Sequence, residues 1–287
     1  MMGTGYTAMQ TPPLIRARMT SAARSVWPAL AGWLRSAAVA CALASTGSMA
    51  AEVPVVAAAS DLQHALVEIS AAFTAATGRS VKLAMGSSGN LSQQIMQGAP
   101  FELFFSADEE YVRALVAKGM TRGEGVLYAV GRLALFVGKG SPVNADPELR
   151  DLSAAAADGR LRKLAIANPE HAPYGRAARA ALTYSGLWEK LRGRLVLGEN
   201  VSQAAQFAVS GSVEAALVAH SLVLADAMKG RGGYALVPEA WHPPLRQRMV
   251  LLRGAGDTAR RFYDFMRSAP ARVVLERHGF ALPAADR

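Results

Sequence analysis

The chain predicts an α/β protein of two lobes, each a mostly parallel sheet flanked by helices. Three observations predict it. Short apolar runs alternate with amphipathic helical stretches from Val53 to Lys118. The alternation breaks off and restarts at Arg132. The 287 residues suit two units of about 100 residues each beyond a distinct N-terminal segment.

Taken in order, Val53–Ala57 reads as a strand and Asp61–Thr77 as a helix. Leu62, Leu66, Ile69 and Phe73 fall at three- and four-residue spacing, and Gly78 supplies the stop. Val81–Met85 is a second strand, followed by a short helix over Leu91–Met96 that Gly98-Ala99-Pro100 ends. Glu102–Ser106 and Glu109–Lys118 repeat the pair, with Asp108 as the helix cap. This βαβαβα run predicts parallel strands with helices on both faces. After the restart, Arg132–Val137 is a strand closed by the turn Gly138-Lys139-Gly140-Ser141-Pro142. Leu164–Ala167, Leu195–Leu197 and Ala215–Ala219 read as strands, with helices near Arg176–Tyr184 and Ser202–Val209. A strand over Arg248–Leu252 and helices over Thr258–Met266 and Ala271–Arg277 complete the chain.

Residues 1–50 have a different composition. Arg16, Arg18, Arg24 and Arg35 are their only charged residues, an apolar stretch follows from Ser36 to Ala44, and Ser48-Met49-Ala50 offers a small-residue cleavage site. That order is a secretory signal cleaved near Ala50, with Met19 as a candidate true start; an uncleaved anchor is the alternative. The apolar core is shorter than the roughly 20 residues of a membrane span. Cys41, the only cysteine, falls inside this segment, so the mature chain has no disulfide, cysteine-ligated metal or thiol nucleophile. Lipidation at Cys41 is a second alternative, although Ala38-Val39-Ala40 matches the usual lipobox poorly. Removing four arginines lowers the formal net charge from +9 to +5. The remaining cations are scattered rather than striped with aromatics, which argues against nucleic acid as a partner.

Two junctions stand out: Ala57-Ala58-Ala59-Ser60-Asp61 and Gly86-Ser87-Ser88-Gly89-Asn90. Each places a serine between a strand and a helix. Such a serine is either a helix cap alone or a donor to an anion at the helix N-terminus. Neither turn holds a lysine or arginine, so an anion there would meet neutral donors. Asn168-Pro169-Glu170-His171-Ala172-Pro173-Tyr174-Gly175 is a third such junction, with two prolines holding the N–H groups of Tyr174 and Gly175 at a helix start. Tyr174 reads as a packing residue or as a wall of a site, and Glu170 with His171 as a surface pair rather than a metal pair. Gly198-Glu199-Asn200-Val201-Ser202-Gln203 is a fourth, where Asn200 can cap and leave the N–H of Val201 or Ser202 for a ligand. Ser88 as a hydrolase nucleophile is the rival reading, but the Gly-x-Ser-x-Gly spacing is not met and none of the five histidines has a distinctive context. Walker, dinucleotide and HExxH patterns are absent.

Together these segments, with Phe105-Ser106-Ala107-Asp108 and Arg277-His278-Gly279-Phe280, resemble the ModA family of periplasmic molybdate-binding proteins that serve ABC importers. The resemblance runs from about Val53 to Leu282. It implies a class II periplasmic binding protein with its ligand in the cleft between lobes, the first lobe formed by residues 51–129 and 243–287 and the second by 130–242. It also implies a periplasmic, monomeric, non-catalytic protein without a cofactor, which captures molybdate and tungstate for a membrane permease. By position, Ser60 and Ser88 would give hydroxyl and amide donors, and Tyr174 and Val201 main-chain N–H groups. The oxyanion would bind through its oxygens, with no side chain on the metal. The family often adds a tyrosine hydroxyl, but here Ala219 stands in that place. Sulfate or another oxyanion on the same fold is the alternative ligand.

Overall fold

A computed structural model describes residues 53–283. The expected export signal over residues 1–50, with Met19 and Cys41, lies outside the described residues. β1 (Val55–Ala59) passes through a 3₁₀ turn (Ser60–Leu62) into α1 (Gln63–Thr77). Gly78 ends α1 in the left-handed region at φ 69°, where a side chain would be strained. β2 (Lys82–Gly86), α2 (Ser88–Met96), β3 (Phe101–Ser106), α3 (Glu109–Ala117) and β4 (Val126–Gly131) follow. After Arg132 come β5 (Leu133–Gly138), α4 (Arg150–Asp158), β6 (Leu164–Ala167), α5 (Pro173–Tyr184) and α6 (Trp188–Leu191). β7 (Leu195–Gly198), α7 (Val201–Val209), β8 (Ala215–Ala219), α8 (His220–Val223) and β9 (Gly232–Leu236) continue the chain. β10 (Leu245–Leu251), α9 (Asp257–Phe265) and α10 (Ala269–Arg277) finish it.

The strands form two five-stranded sheets, ordered β2-β1-β3-β10-β4 and β7-β6-β8-β5-β9. Each sheet is the centre of one lobe. β1 pairs in parallel with β2 and β3, and β6 with β7 and β8. One strand in each sheet runs against its neighbours: β10 between β3 and β4, and β5 between β8 and β9. The chain therefore crosses between sheets twice, at Arg132 and again between β9 and β10.

The predicted apolar stripe is real: Leu62 of the 3₁₀ turn and Leu66, Ile69 and Phe73 of α1 are all fully buried. Phe73 packs edge-on against Phe262 of α9 at 5.1 Å and Phe265 at 5.6 Å, which joins the first and last parts of the chain into one core. The second core is built from smaller residues, among them Leu135, Ile166, Ala178, Ala204 and Leu217. Alanines on α5 and α7 let these helices lie close on their sheet.

Some expected boundaries move. β1 extends to Ala59, so Ala57–Ala59 belong to the strand rather than to a turn. α2 begins at Ser88, so Ser88-Gly89-Asn90 are helical. β4, β9 and α4 were not anticipated; β4 and β9 are edge strands, and β9 opens with two glycines, which weaken its strand signal.

Candidate functional site

Four strand–helix junctions converge on a small cavity between the lobes. It is lined by Ala59, Ser60 and Asp61, by Gly86, Ser87 and Ser88 with Ala107, and by Ala172, Pro173, Tyr174 and Val201. Ser60, Ser88, Tyr174 and Val201, separated in sequence by up to 141 positions, thus meet at one place, and all are buried. The lining includes no lysine or arginine. It presents helix N-termini, whose unpaired N–H groups and dipoles favour negative charge.

The second lobe's N–H groups are open because the helix starts leave them so. Pro173 occupies the first position of α5, and the first helical bond is Arg176 N–H to Ala172 O at 3.1 Å. The N–H of Tyr174 has no intrahelical acceptor. At α7 the Asn200 side chain accepts from Ser202 N at 3.0 Å and Gln203 N at 3.1 Å. The N–H of Val201, the residue directly after Asn200, is not among the groups that cap takes up and donates to no described residue.

The serines do not cap as expected. Ser87, not Ser88, caps α2, accepting from Asn90 N at 3.4 Å. Ser88 Oγ instead accepts from Ala107 N at 2.9 Å. Ser60 lies inside the 3₁₀ turn, where Ala59 is the capping residue and no side chain caps; its Oγ accepts from Ser202 N of the other lobe at 3.4 Å. Each hydroxyl that accepts a backbone N–H keeps its own proton to donate. Both serines therefore keep a hydroxyl proton free to donate, and neither caps its helix.

His171 is not half of a surface pair. Its Nδ1 meets Ser87 Oγ at 2.8 Å, and its carbonyl accepts from Gly89 N at 2.9 Å and Tyr111 OH at 3.3 Å. A Cβ at Gly89 would come within 2.5 Å of that carbonyl, so the close approach needs glycine. Glu170 lies apart, 3.7 Å from Arg179. Arg176 adds bonds to Tyr111 OH at 2.6 Å and Asp108 Oδ2 at 2.5 Å, while Ser202 Oγ reaches Gln63 Oε1 at 2.9 Å and Ser221 Oγ reaches the Asp61 carbonyl at 2.7 Å. These contacts hold the lobes closed over the cavity. Among the described residues no cluster of three metal-ligating side chains occurs.

The Tyr174 side chain is packed in the interior, and the residue also lines the cavity. It runs past the cavity to the strand crossing, where its hydroxyl lies 3.4 Å from Gln247 Nε2. A Cβ on Gly131 would sit 2.2 Å from that oxygen, so the space for the phenol exists only because residue 131 has no side chain. Gln247 donates to Asp61 Oδ2 at 2.5 Å and accepts from Tyr128 OH at 2.7 Å. Burial pushes the Asp61 carboxyl up to about 6, against hydrogen bonds from Gln247 and Tyr174 that pull it down. Burial, and then the charge of Asp61, raises both tyrosines well above the usual phenol range. Asp61 is the one acid on the cavity lining and was not singled out from sequence, although it adjoins Ser60. Ala219, where the resembling family carries a tyrosine, is buried at the end of β8 and is not among the lining residues.

Comparison with known proteins bears on family and fold. The family described as bacterial extracellular solute-binding protein matches residues 54–281. The chain is 37% identical to the molybdate-binding protein ModA of Rhodobacter capsulatus, over 86% of this chain and 96% of that one. It is 34% identical to ModA of Azotobacter vinelandii, over 84% and 94%. The solved structure of the periplasmic molybdate-binding protein of Azotobacter vinelandii superposes with a TM-score of 0.73 at 30% identity, covering 80% of this chain and all of that one. On fold, matched length and identity together, the chain belongs to the bacterial extracellular solute-binding protein family, within its ModA group.

Proposed function

We propose that the protein captures molybdate, and tungstate with it, in the periplasm and delivers the oxyanion to an ABC permease. The observation that carries this reading is the meeting of Ser60, Ser88, Tyr174 and Val201, from both lobes, around one buried cavity without a cationic side chain. A tetrahedral dianion that carries no proton needs donors only, and neutral donors suffice when they converge from helix starts. Hydrogen bonds to a charged group contribute roughly 1.5–3 kcal/mol each, so four or five support micromolar to nanomolar capture after closure and desolvation are subtracted.

The lobes we assign are residues 51–129 with 243–287, and 130–242, closing as a monomer on the anion. Residues 1–50 act as the export signal. The anion is cargo, so no cofactor and no chemical step are involved. Ser88 is a poor nucleophile: its hydroxyl faces Ala107 N, and the nearby imidazole, His171, bonds Ser87, whose hydroxyl is engaged in capping α2. A thermal-shift titration with molybdate, tungstate, sulfate and phosphate tests the reading. A ligand at 100 times its Kd adds about 2.7 kcal/mol of stability. Stabilisation by molybdate and tungstate at concentrations where sulfate and phosphate do nothing is expected; no shift with either heavy oxyanion overturns it.

A further inference from the structure

Asp61 is an acid on the wall of an anion cavity, and its two oxygens are in different positions. Oδ2 accepts from Gln247 Nε2 at 2.5 Å, and Tyr128, by donating to Gln247 Oε1, holds that amide with its N–H side toward the acid. Oδ1 is buried with no hydrogen bond of good geometry, the Tyr174 hydroxyl being the neighbouring donor, in a residue only 1% exposed. An ionised carboxylate would leave that oxygen's charge in a dry place and set it beside the dianion, where like charges repel with little screening. A neutral acid resolves both conflicts: Oδ2 remains the acceptor for Gln247, and Oδ1 becomes an O–H donor.

We propose that Asp61 is a further donor of the site, a neutral carboxylic acid that takes a proton from solution onto Oδ1 as the oxyanion is captured and returns it on release. The inference rests on the reading of the cavity as an oxyanion site. It also adds a donor to a site that lacks a tyrosine at position 219.

The surroundings favour the neutral form. Tyr128 of β4 and Tyr174 of α5 are the titratable groups that face the carboxyl, and both are held as neutral phenols. β10 presents the neutral Gln247, while its Arg246 and Arg248 turn to Glu109 at 2.6 Å and 3.1 Å. From α8, Ser221 bonds the Asp61 carbonyl and His220 turns its Nδ1 toward Gly279 O at 3.4 Å. α7 contributes Ser202, paired with Gln63 of α1. His64 of α1 has its electrostatic neighbours in His278 and Asp226. None of these is a cation held against Asp61. The carboxyl's own range, raised by burial to about 6, leaves it mostly ionised in neutral solution and ready to take up a proton when a dianion arrives.

The test is calorimetric titration of the mature chain with molybdate at pH 6, 7 and 8, each in two buffers of different ionisation heat. The expected result is uptake approaching one proton per anion at pH 8, with Kd weakening by up to about tenfold per pH unit above pH 7. Asp61→Asn, which offers an N–H in place of the O–H, is expected to bind without proton uptake, with a flat pH profile, and more tightly than wild type at pH 8. Wild-type binding without proton uptake overturns the proposal and leaves the oxyanion reading intact. Preference for hydrogen phosphate over molybdate, lost in Asp61→Asn, also overturns it, because it marks an ionised acceptor. Absence of molybdate binding by wild type even at pH 6 removes the oxyanion reading itself and the proposal with it. The wild-type proton count decides the matter even if the variant does not fold.

Discussion

On the proposed reading, the first lobe brings side-chain hydroxyls to the cavity, those of Ser60 and Ser88, beside their amides, whereas the second brings main-chain amides alone, those of Tyr174 and Val201. A hydroxyl belongs to its residue type and disappears with one substitution. An amide belongs to the fold, and any residue except proline supplies it. The two halves of the site should therefore differ in how mutation reaches them, and that difference can be measured.

The largest effect is expected from Ser60→Ala combined with Ser88→Ala. Loss of two charge-assisted bonds at roughly 1.5–3 kcal/mol each weakens molybdate binding by about two to four orders of magnitude, read by calorimetry. A loss below tenfold would mean that the amides alone hold the anion. Next comes the cost the first lobe carries without ligand. Burial raises the Asp61 carboxyl to about 6 in the folded protein, against about 3.9 for an unperturbed aspartate. The folded state thus binds the proton more readily, and stability falls as pH rises from about 4 through 6. The difference amounts to about 3 kcal/mol, fully lost at neutral pH. Asp61→Asn should remove that step and raise the melting temperature of the ligand-free protein at pH 7; an unchanged pH–stability profile would refute the buried-acid account.

Val201→Pro is the counterpart on the second lobe. Proline suits the first position of a helix, and Asn200 before it is already extended at φ −147° and ψ 175°, so α7 should persist while one N–H is deleted. The expected loss is roughly 1.5–3 kcal/mol of binding, ten- to a hundredfold or slightly more, with little change in the unliganded melting temperature. Val201→Ala should stay within about twofold, since it keeps the N–H; a large loss there would show that the side chain matters after all. His171→Ala removes the bond to Ser87 across the lobes but leaves the His171 carbonyl contacts in place. About 1 kcal/mol of the closed form is at stake, seen as a Kd weaker by about fivefold.

The junctions of both lobes were legible in the sequence because each pairs a short apolar run with a helix-starting signal, as in Pro173 before Tyr174 and Asn200 before Val201. Which of two adjacent serines caps was not legible. Ser87 and Ser88 have the same chemistry, and a one-residue shift in the helix start exchanges their roles. Asp61 was hidden for another reason. Its burial depends on Gln247, 186 positions away, and on Tyr128, and no local pattern reports such a meeting. The reversed strand β10 was equally silent, since an apolar run carries no sign of its direction.

Tyr174 serves two masters through two different parts of one residue. Its amide, at the cavity, could come from almost any amino acid, while its hydroxyl needs a phenol of that length and the bare backbone of Gly131 opposite. Variation at position 174 would then leave ligand capture largely intact and yet loosen the junction where the chain passes from one sheet to the other. Residues 131 and 174 should consequently change together or not at all, like two halves of a mortise joint, even though only one of them lines the cavity.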